Sequence, residues 1–276
     1  MKPAPFDLAR PETVEEALGV LAEHGDEARV LAGGQSLGAI LNMRLATPKV
    51  LIDIAGLDDL GDIAERDGVI EIGATVTQDQ LSRWPRLTAQ PLLARMLPWV
   101  GHYQTRQRGT VCCSLAHADP SSELPLALAL LGGAVVLASN RGRRIVAAAD
   151  FQTGMMQTAL GPDEMIVAAR FPVTEQGASC AFNEVGPRHG DFAIVAVAAV
   201  GCKDGVKLGI GGVTDTPVVR HLPWLEGPAL TDALNTIAWE LRGGTDVHAT
   251  AQYRRTLVRN LGAEVIGEAH DALSLS

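Results

Sequence analysis

Leu31-Ala32-Gly33-Gly34-Gln35-Ser36-Leu37 joins an apolar run to a glycine pair and two polar side chains, after which a second apolar run begins. Adjacent glycines remove the Cβ atoms that would hold a ligand off the backbone. They also permit positive φ, so that successive N–H groups can converge on an anion. Taken alone, the stretch suits a phosphate cradle and a plain strand-to-helix turn equally. Its surroundings add weight. Thr13, with Glu16 three residues on, predicts a helix start, and Val14, Leu18 and Leu21 recur at helical spacing before His24-Gly25. Residues 28–32 predict a strand, residues 37–45 an amphipathic segment stopped before Pro48, and residues 50–54 a buried strand. This β-loop-α-β order puts the glycines where α/β proteins hold phosphates, between the carboxyl end of a strand and a helix N-terminus. The dinucleotide fingerprint G-x-G-x-x-G is absent, which argues against a Rossmann fold.

The chain has 276 residues, 47% of them hydrophobic and 20% charged, enough to bury a substantial core in two or three subdomains. A net charge of -9 disfavours nucleic acid and anionic membrane surfaces as partners. The N-terminal residues have no apolar signal region and no later run reaches the length of a membrane span, so a cytoplasmic location is expected. Cys112, Cys113, Cys180 and Cys202 are not spaced as zinc or iron–sulfur ligands, so no metal site is expected in this chain.

A second informative stretch is Thr105-Arg106-Gln107-Arg108-Gly109-Thr110-Val111-Cys112-Cys113-Ser114-Leu115-Ala116-His117-Ala118-Asp119-Pro120-Ser121-Ser122-Glu123. It holds two arginines, several hydroxyl residues, a His, two acids and a Cys pair, and then gives way at once to an apolar helix over residues 126–131. Arg106 and Arg108 suit a structural role or a phosphate contact, and His117 suits a structural side chain better than a catalytic one.

With these two stretches and three further blocks, the chain resembles the FAD-binding medium subunits of molybdenum hydroxylases, relatives of the carbon monoxide dehydrogenase and xanthine dehydrogenase flavoproteins. The further blocks are Arg44-Leu45-Ala46-x-Pro48 leading into Leu51-Ile52-Asp53-Ile54, Ile72-Gly73-Ala74-x-x-Thr77, and Arg188-x-Gly190-Asp191-Phe192-Ala193. The resemblance implies an α+β fold with FAD between two loops, two small N-terminal α/β subdomains (1–57 and 58–171), and a C-terminal domain (172–276) of antiparallel sheet plus helices. It implies cofactor contacts from Leu31, Ala32, Gly33, Gly34, Gln35, Ser36 and Leu37 in the first loop. In the second it implies Thr105, Thr110, Val111, Cys112, Cys113 and Ser114, with Asp119 and Glu123 beyond. It places Gly101, Ile166 and Phe192 near the flavin, although periodicity alone makes Phe192 the first core residue of a strand. A pyrophosphate has oxygens on more than one side, which two small-residue loops and the hydroxyls of Ser36, Thr110 and Ser114 can meet. Glu123 would accept from cofactor hydroxyls, or serve only as a helix-start acid. Asp119 suits an N-cap equally well.

The chain departs from the family at two places. Cys112-Cys113 stands where glycines are usual, adding side chains at the expected phosphate approach and restricting positive φ. Asn183-Glu184 stands where a lysine after the aromatic is common. Strands are expected near residues 178–184, 193–202 and 206–213, then helices near 230–241 and 249–269, which suggests a sheet covered on one face. Gly209-x-Gly211-Gly212 suggests close backbone packing.

The function implied is an electron-transfer subunit, passing electrons from iron–sulfur clusters through FAD to an external acceptor. The [2Fe–2S] and molybdopterin cofactors would lie in a small and a large partner subunit, assembled as a dimer of heterotrimers, with an N-heteroaromatic substrate at molybdenum. No side chain here need be a general acid or base, so no catalytic residue is assigned. Two other readings stay open on the sequence: a self-contained flavin oxidase or dehydrogenase, and a flavin-free scaffold.

Overall fold

The computed structural model describes residues 2–274. β1 (Asp7–Ala9), α1 (Val14–His24), β2 (Ala28–Leu31), α2 (Leu37–Asn42) and β3 (Val50–Asp53) build a parallel sheet of order β1-β3-β2. At the start of α1 the Thr13 hydroxyl accepts from the Glu16 amide at 3.1 Å, and the Glu16 carboxylate accepts from the Glu12 amide at 2.8 Å. Amides that a helix start leaves without partners are thereby satisfied. The face predicted to be apolar, Val14, Ala17, Leu18 and Leu21, is buried. β1, too short to show a period, is additional to the sequence expectation.

A second unit follows. β4 (Ile63–Arg66) and β5 (Val69–Gly73) form a hairpin. Short helices come next: α3 (Gln78–Ser82), α4 (Pro91–Met96), α5 (Tyr103–Arg106), α6 (Val111–His117) and the longer α7 (Glu123–Leu131). β6 (Ala134–Ser139) and β7 (Gly142–Ala147) make a second hairpin. α8 (Ala148–Phe151), the small ribbon of β8 (Gln152–Gly154) and β9 (Gln157–Thr158), and β10 (Met165–Pro172) complete the unit. The antiparallel sheet has the order β4-β5-β10-β6-β7, so the apolar β10 is central and almost wholly buried, whereas β7 at the edge is largely exposed.

The last unit is an antiparallel sheet of β11 (Ser179–Val185), β12 (Val195–Cys202), β13 (Gly205–Gly211) and β14 (Val218–Leu222), with α9 (Gly227–Glu240) and α10 (Ala251–Ser274). Two expectations are corrected here. The sheet has four strands, the fourth disguised by Arg220 and His221. It is also covered on both faces, because α10 packs on β11 and β12 while α7 and α4 pack from the other side. The unbroken apolar run of β12 carries that two-sided burial. A Cβ on Gly209 would stand 3.0 Å from Leu126 Cδ1 and 3.2 Å from Leu130 Cβ, so the late glycines do serve packing, letting α7 lie close on β13. α7 has seven buried residues, including five leucine or alanine side chains; at about 1.5–3 kcal/mol for a fully buried leucine it holds the last two units together. No helix among the described residues is long and apolar enough to cross a membrane.

Candidate cofactor site

The two loops, far apart in sequence, touch. A Cβ on Gly33 would lie 2.0 Å from the Arg108 carbonyl oxygen and 2.9 Å from Gly109 Cα, so glycine is the residue that permits this backbone contact. Gly34 has φ +71°, and the chain turns from β2 into α2 through it. The amides of Gly34, Gln35, Ser36 and Leu37 meet no protein acceptor among the described residues. On the other side, the Gln78 amide donates to the Gly109 carbonyl at 2.9 Å and the Val111 amide to Val76 at 3.2 Å, tying the second loop to α3. Thr110 caps α6: its hydroxyl oxygen accepts from the Cys113 amide at 3.1 Å.

Cys112 and Cys113 lie in the first turn of α6, and neither has positive φ. The backbone cost expected of the pair is therefore absent. Cys112 is buried, its thiol directed to the Ile72 carbonyl at 3.6 Å, and Cys113 is half-buried at the cleft wall. Burial pushes both thiols upward, so both stay protonated at neutral pH.

A cleft of about 420 Å³ opens over this junction. Nine predicted residues line it: Gln35, Ser36, Gly101, Thr105, Thr110, Cys113, Ser114, Glu123 and Phe192. Ala32, Cys112 and Ile166 line a small apolar cavity alongside, which Thr110 and Cys113 share. Val111 is wholly buried, and Leu31, Gly33, Gly34 and Leu37 shape the first loop without lining either space. Asp119 turns elsewhere: its Oδ1 accepts from the Ser121 amide at 2.8 Å, and it faces a neighbouring cleft. The N-cap of α7 is Ser122.

Arg106 is structural. Its Nη1 donates to the carbonyls of Pro98, Val100 and Gly101 at 3.3, 3.1 and 2.7 Å, pinning Gly101 at φ +54° over Thr105. The segment 190–192 closes the cleft from the last unit. Gly190 has φ +85°, and a Cβ there would meet His102 Nδ1 at 2.6 Å and the Gly101 oxygen at 2.9 Å. Phe192 is 54% exposed and β12 starts only at Val195, which corrects the periodicity reading of Phe192 as a core residue. Trp99 stacks on His189 with ring centroids 4.9 Å apart, a further tie between Gly101's loop and the last unit.

Four of the lining residues that sequence reasoning left unassigned bear on the chemistry: Met43, Leu45, Met156 and Gln78. Met43 and Leu45 are exposed apolar side chains on the rim. Met156 takes φ +53°, its amide donating to Ala118, itself at φ +52°. Strain of this kind in non-glycine residues clusters at functional sites, but no sequence signal marks it. Gln78, inside a capping-box helix, keeps Oε1 buried without a donor. Burial lowers the basicity of His117 against the opposing pull of Asp119, so the imidazole is neutral at pH 7.

FAD fits this donor set. The cleft offers backbone amides without protein acceptors, the hydroxyls of Ser36 and Ser114, an orphan buried acceptor in Gln78, an acid in Glu123, and apolar surface from Phe192 and the methionines. Comparison with known proteins agrees. Residues 4–174 match the model of the FAD binding domain in molybdopterin dehydrogenase. The chain is 33% identical over 291 residues to caffeine dehydrogenase subunit beta of Pseudomonas sp. strain CBB1, covering 99% of this chain and 97% of that one. It is 34% identical over 267 residues to the carbon monoxide dehydrogenase medium chain of Afipia carboxidovorans, covering 92% and 93%. The crystal structure of quinoline 2-oxidoreductase from Pseudomonas putida 86 superposes with a TM-score of 0.93 at 29% identity, covering 99% of each chain. The chain belongs to the family of FAD-binding subunits of molybdenum hydroxylases.

Proposed function

We propose that this protein carries FAD between iron–sulfur clusters and an external electron acceptor, as the medium subunit of a molybdenum hydroxylase. The observation that carries the reading is the Gly33–Arg108 backbone contact, which joins two amide-bearing loops into one phosphate cradle. Bound FAD would supply the redox chemistry. The residues of this chain would hold and orient it. Gly33, Gly34, Gln35, Ser36, Leu37, Thr110, Val111, Cys112, Cys113 and Ser114 would surround the pyrophosphate, through backbone amides or hydroxyls. Glu123 would accept from cofactor hydroxyls, and Asp119 would act behind it. Gly101, Thr105, Phe192 and Ile166, with Leu31 and Ala32, would supply the walls around the rings. The exposed Phe192 would stand where the acceptor approaches.

The partners would be an iron–sulfur small subunit and a molybdopterin large subunit, arranged as a dimer of heterotrimers. The relatives named for caffeine and quinoline support an N-heteroaromatic substrate. Four free cysteines suit a reducing cytoplasm. The three larger sheets support units 1–57, 58–171 and 172–276. The experiment is purification with the gene products encoded alongside: flavin, iron and molybdenum in one complex support the reading, whereas substrate turnover by the isolated chain, or a chain that never takes up flavin, contradicts it.

A further inference from the structure

Two carboxyl groups from different units are buried near the cofactor cleft, close enough for the charge of Glu123 to act on Glu184. Glu123 opens α7, is 4% exposed and lines the cleft; Glu184 on β11 is 6% exposed. Glu184 Oε2 meets no donor among the described residues, and Gln78 Oε1 on the cleft wall is likewise an orphan acceptor. An ionised carboxylate cannot remain buried without donors at reasonable cost, whereas a protonated one can. The surrounding charges do not neutralise the pair. Glu123 feels Asp119 as a like charge, and Arg106, the cation that faces it, has its Nη1 committed to three carbonyls. His117 and Asp191 line the same cleft, His117 neutral. On the strand carrying Glu184, Arg95 acts on Cys180 and Glu264 of α10 accepts from Asn183 at 2.8 Å, so neither serves Glu184.

We propose that Glu184 is a positioning residue held as a neutral acid, which leaves Glu123 as the one ionised carboxylate that meets cofactor hydroxyls, and that FAD binding releases a proton from Glu123 to solvent. This rests on the FAD reading above. Burial pushes Glu123 up to about 7, with the attraction of its own backbone amide opposing and Asp119 adding to the rise. Burial and then the Glu123 charge push Glu184 up to about 9. The consequence is a bell. Below pH 7 Glu123 must first lose a proton, so FAD affinity falls by about tenfold per pH unit. Above pH 9 Glu184 ionises, bringing a second buried negative charge beside an anionic cofactor, and affinity falls again.

The test uses FAD-free protein titrated with FAD between pH 5.5 and 10, for the wild type, Glu184→Gln and Glu123→Gln. Glutamine is isosteric with the protonated acid, so Glu184→Gln is expected to bind like the wild type at pH 7–8, keep the acid limb and lose the alkaline limb. Glu123→Gln is expected to lose the acid limb. A second readout needs no flavin. The raised acid gives stability that is full below its unfolded value near 4.5 and is lost as pH rises through about 9, so the melting-temperature advantage of Glu184→Gln should be absent near pH 4.5 and grow toward pH 9. Identical pH profiles for wild type and Glu184→Gln, with a constant melting difference, overturn the inference. Failure of every variant and of the wild type to bind FAD at any pH overturns the FAD reading instead, while a growing melting difference would still uphold the neutral Glu184.

Discussion

Replacing Gly33 by alanine adds one methyl group where the two loops meet. That methyl would stand 2.0 Å from the Arg108 oxygen and 2.7 Å from its carbonyl carbon, both backbone atoms with no rotamer to escape into. An ordinary contact needs about 3.4 Å, so the loops must part by more than 1 Å. Overpacking of this kind costs about 1–3 kcal/mol of stability. The effect on FAD is larger, because the loops hold the pyrophosphate jointly. If parting them loses two charge-assisted hydrogen bonds of about 1.5–3 kcal/mol each, affinity falls by at least about 10²-fold. Gly38→Ala is the matched control: nothing lies within 4 Å of its Cβ, and it sits inside α2. That change should stabilise by about 0.5–1 kcal/mol, as alanine does in a helix. Flavin fluorescence titration and urea denaturation measure both quantities. A Gly33→Ala protein that binds FAD and unfolds like the wild type refutes the joined-cradle argument.

Three further outcomes follow from the site. Arg106→Ala strips donors from the carbonyls of Pro98, Val100 and Gly101 and should cost about 1–3 kcal/mol in urea denaturation; Arg106→Lys should recover only part, since a point charge cannot reproduce the guanidinium fork. Phe192→Ala should leave stability within about 0.5 kcal/mol while changing the fluorescence of bound flavin and the rate of its reoxidation; a large drop in stability would return Phe192 to the core. Among the thiols, iodoacetamide at pH 8 should modify the exposed Cys202 first and the buried Cys112 last, with Cys113 protected further by FAD, as mass spectrometry of the peptides would report.

The parts of this molecule legible in the sequence are those whose signals are local. The glycine pair and the Thr13 cap each declare themselves within a few residues, and they lie where expected. Meeting of the two loops was legible only through resemblance, since nothing near Gly33 names Arg108. Periodicity alone makes Phe192 a core residue, but β12 begins only at Val195, after the positive φ of Gly190 and its close approach to His102; the resemblance, not the periodicity, puts Phe192 at the cleft, which it lines. β14 is hidden because Arg220 and His221 interrupt its apolar pattern on an edge strand, and the second covered face of the last sheet is hidden because α7, which covers it, belongs to another unit. The consequence of Cys112-Cys113 needed the backbone: helical φ at both positions removes a penalty that composition alone assigns to them. The Glu123–Glu184 pair likewise spans two units, and only the folded chain sets these acids against each other.

Whether the Gly33-Gly34 loop is one half of an FAD clamp is decided by titrating FAD-free protein with FAD for the wild type and Gly34→Val side by side. Gly34 holds φ +71°, and a Cβ there would already press on Leu31 Cδ1 at 3.2 Å, so a β-branched residue cannot keep the turn. The wild-type chain should bind one FAD saturably and a folded Gly34→Val protein none; undiminished binding in that variant would contradict the clamp.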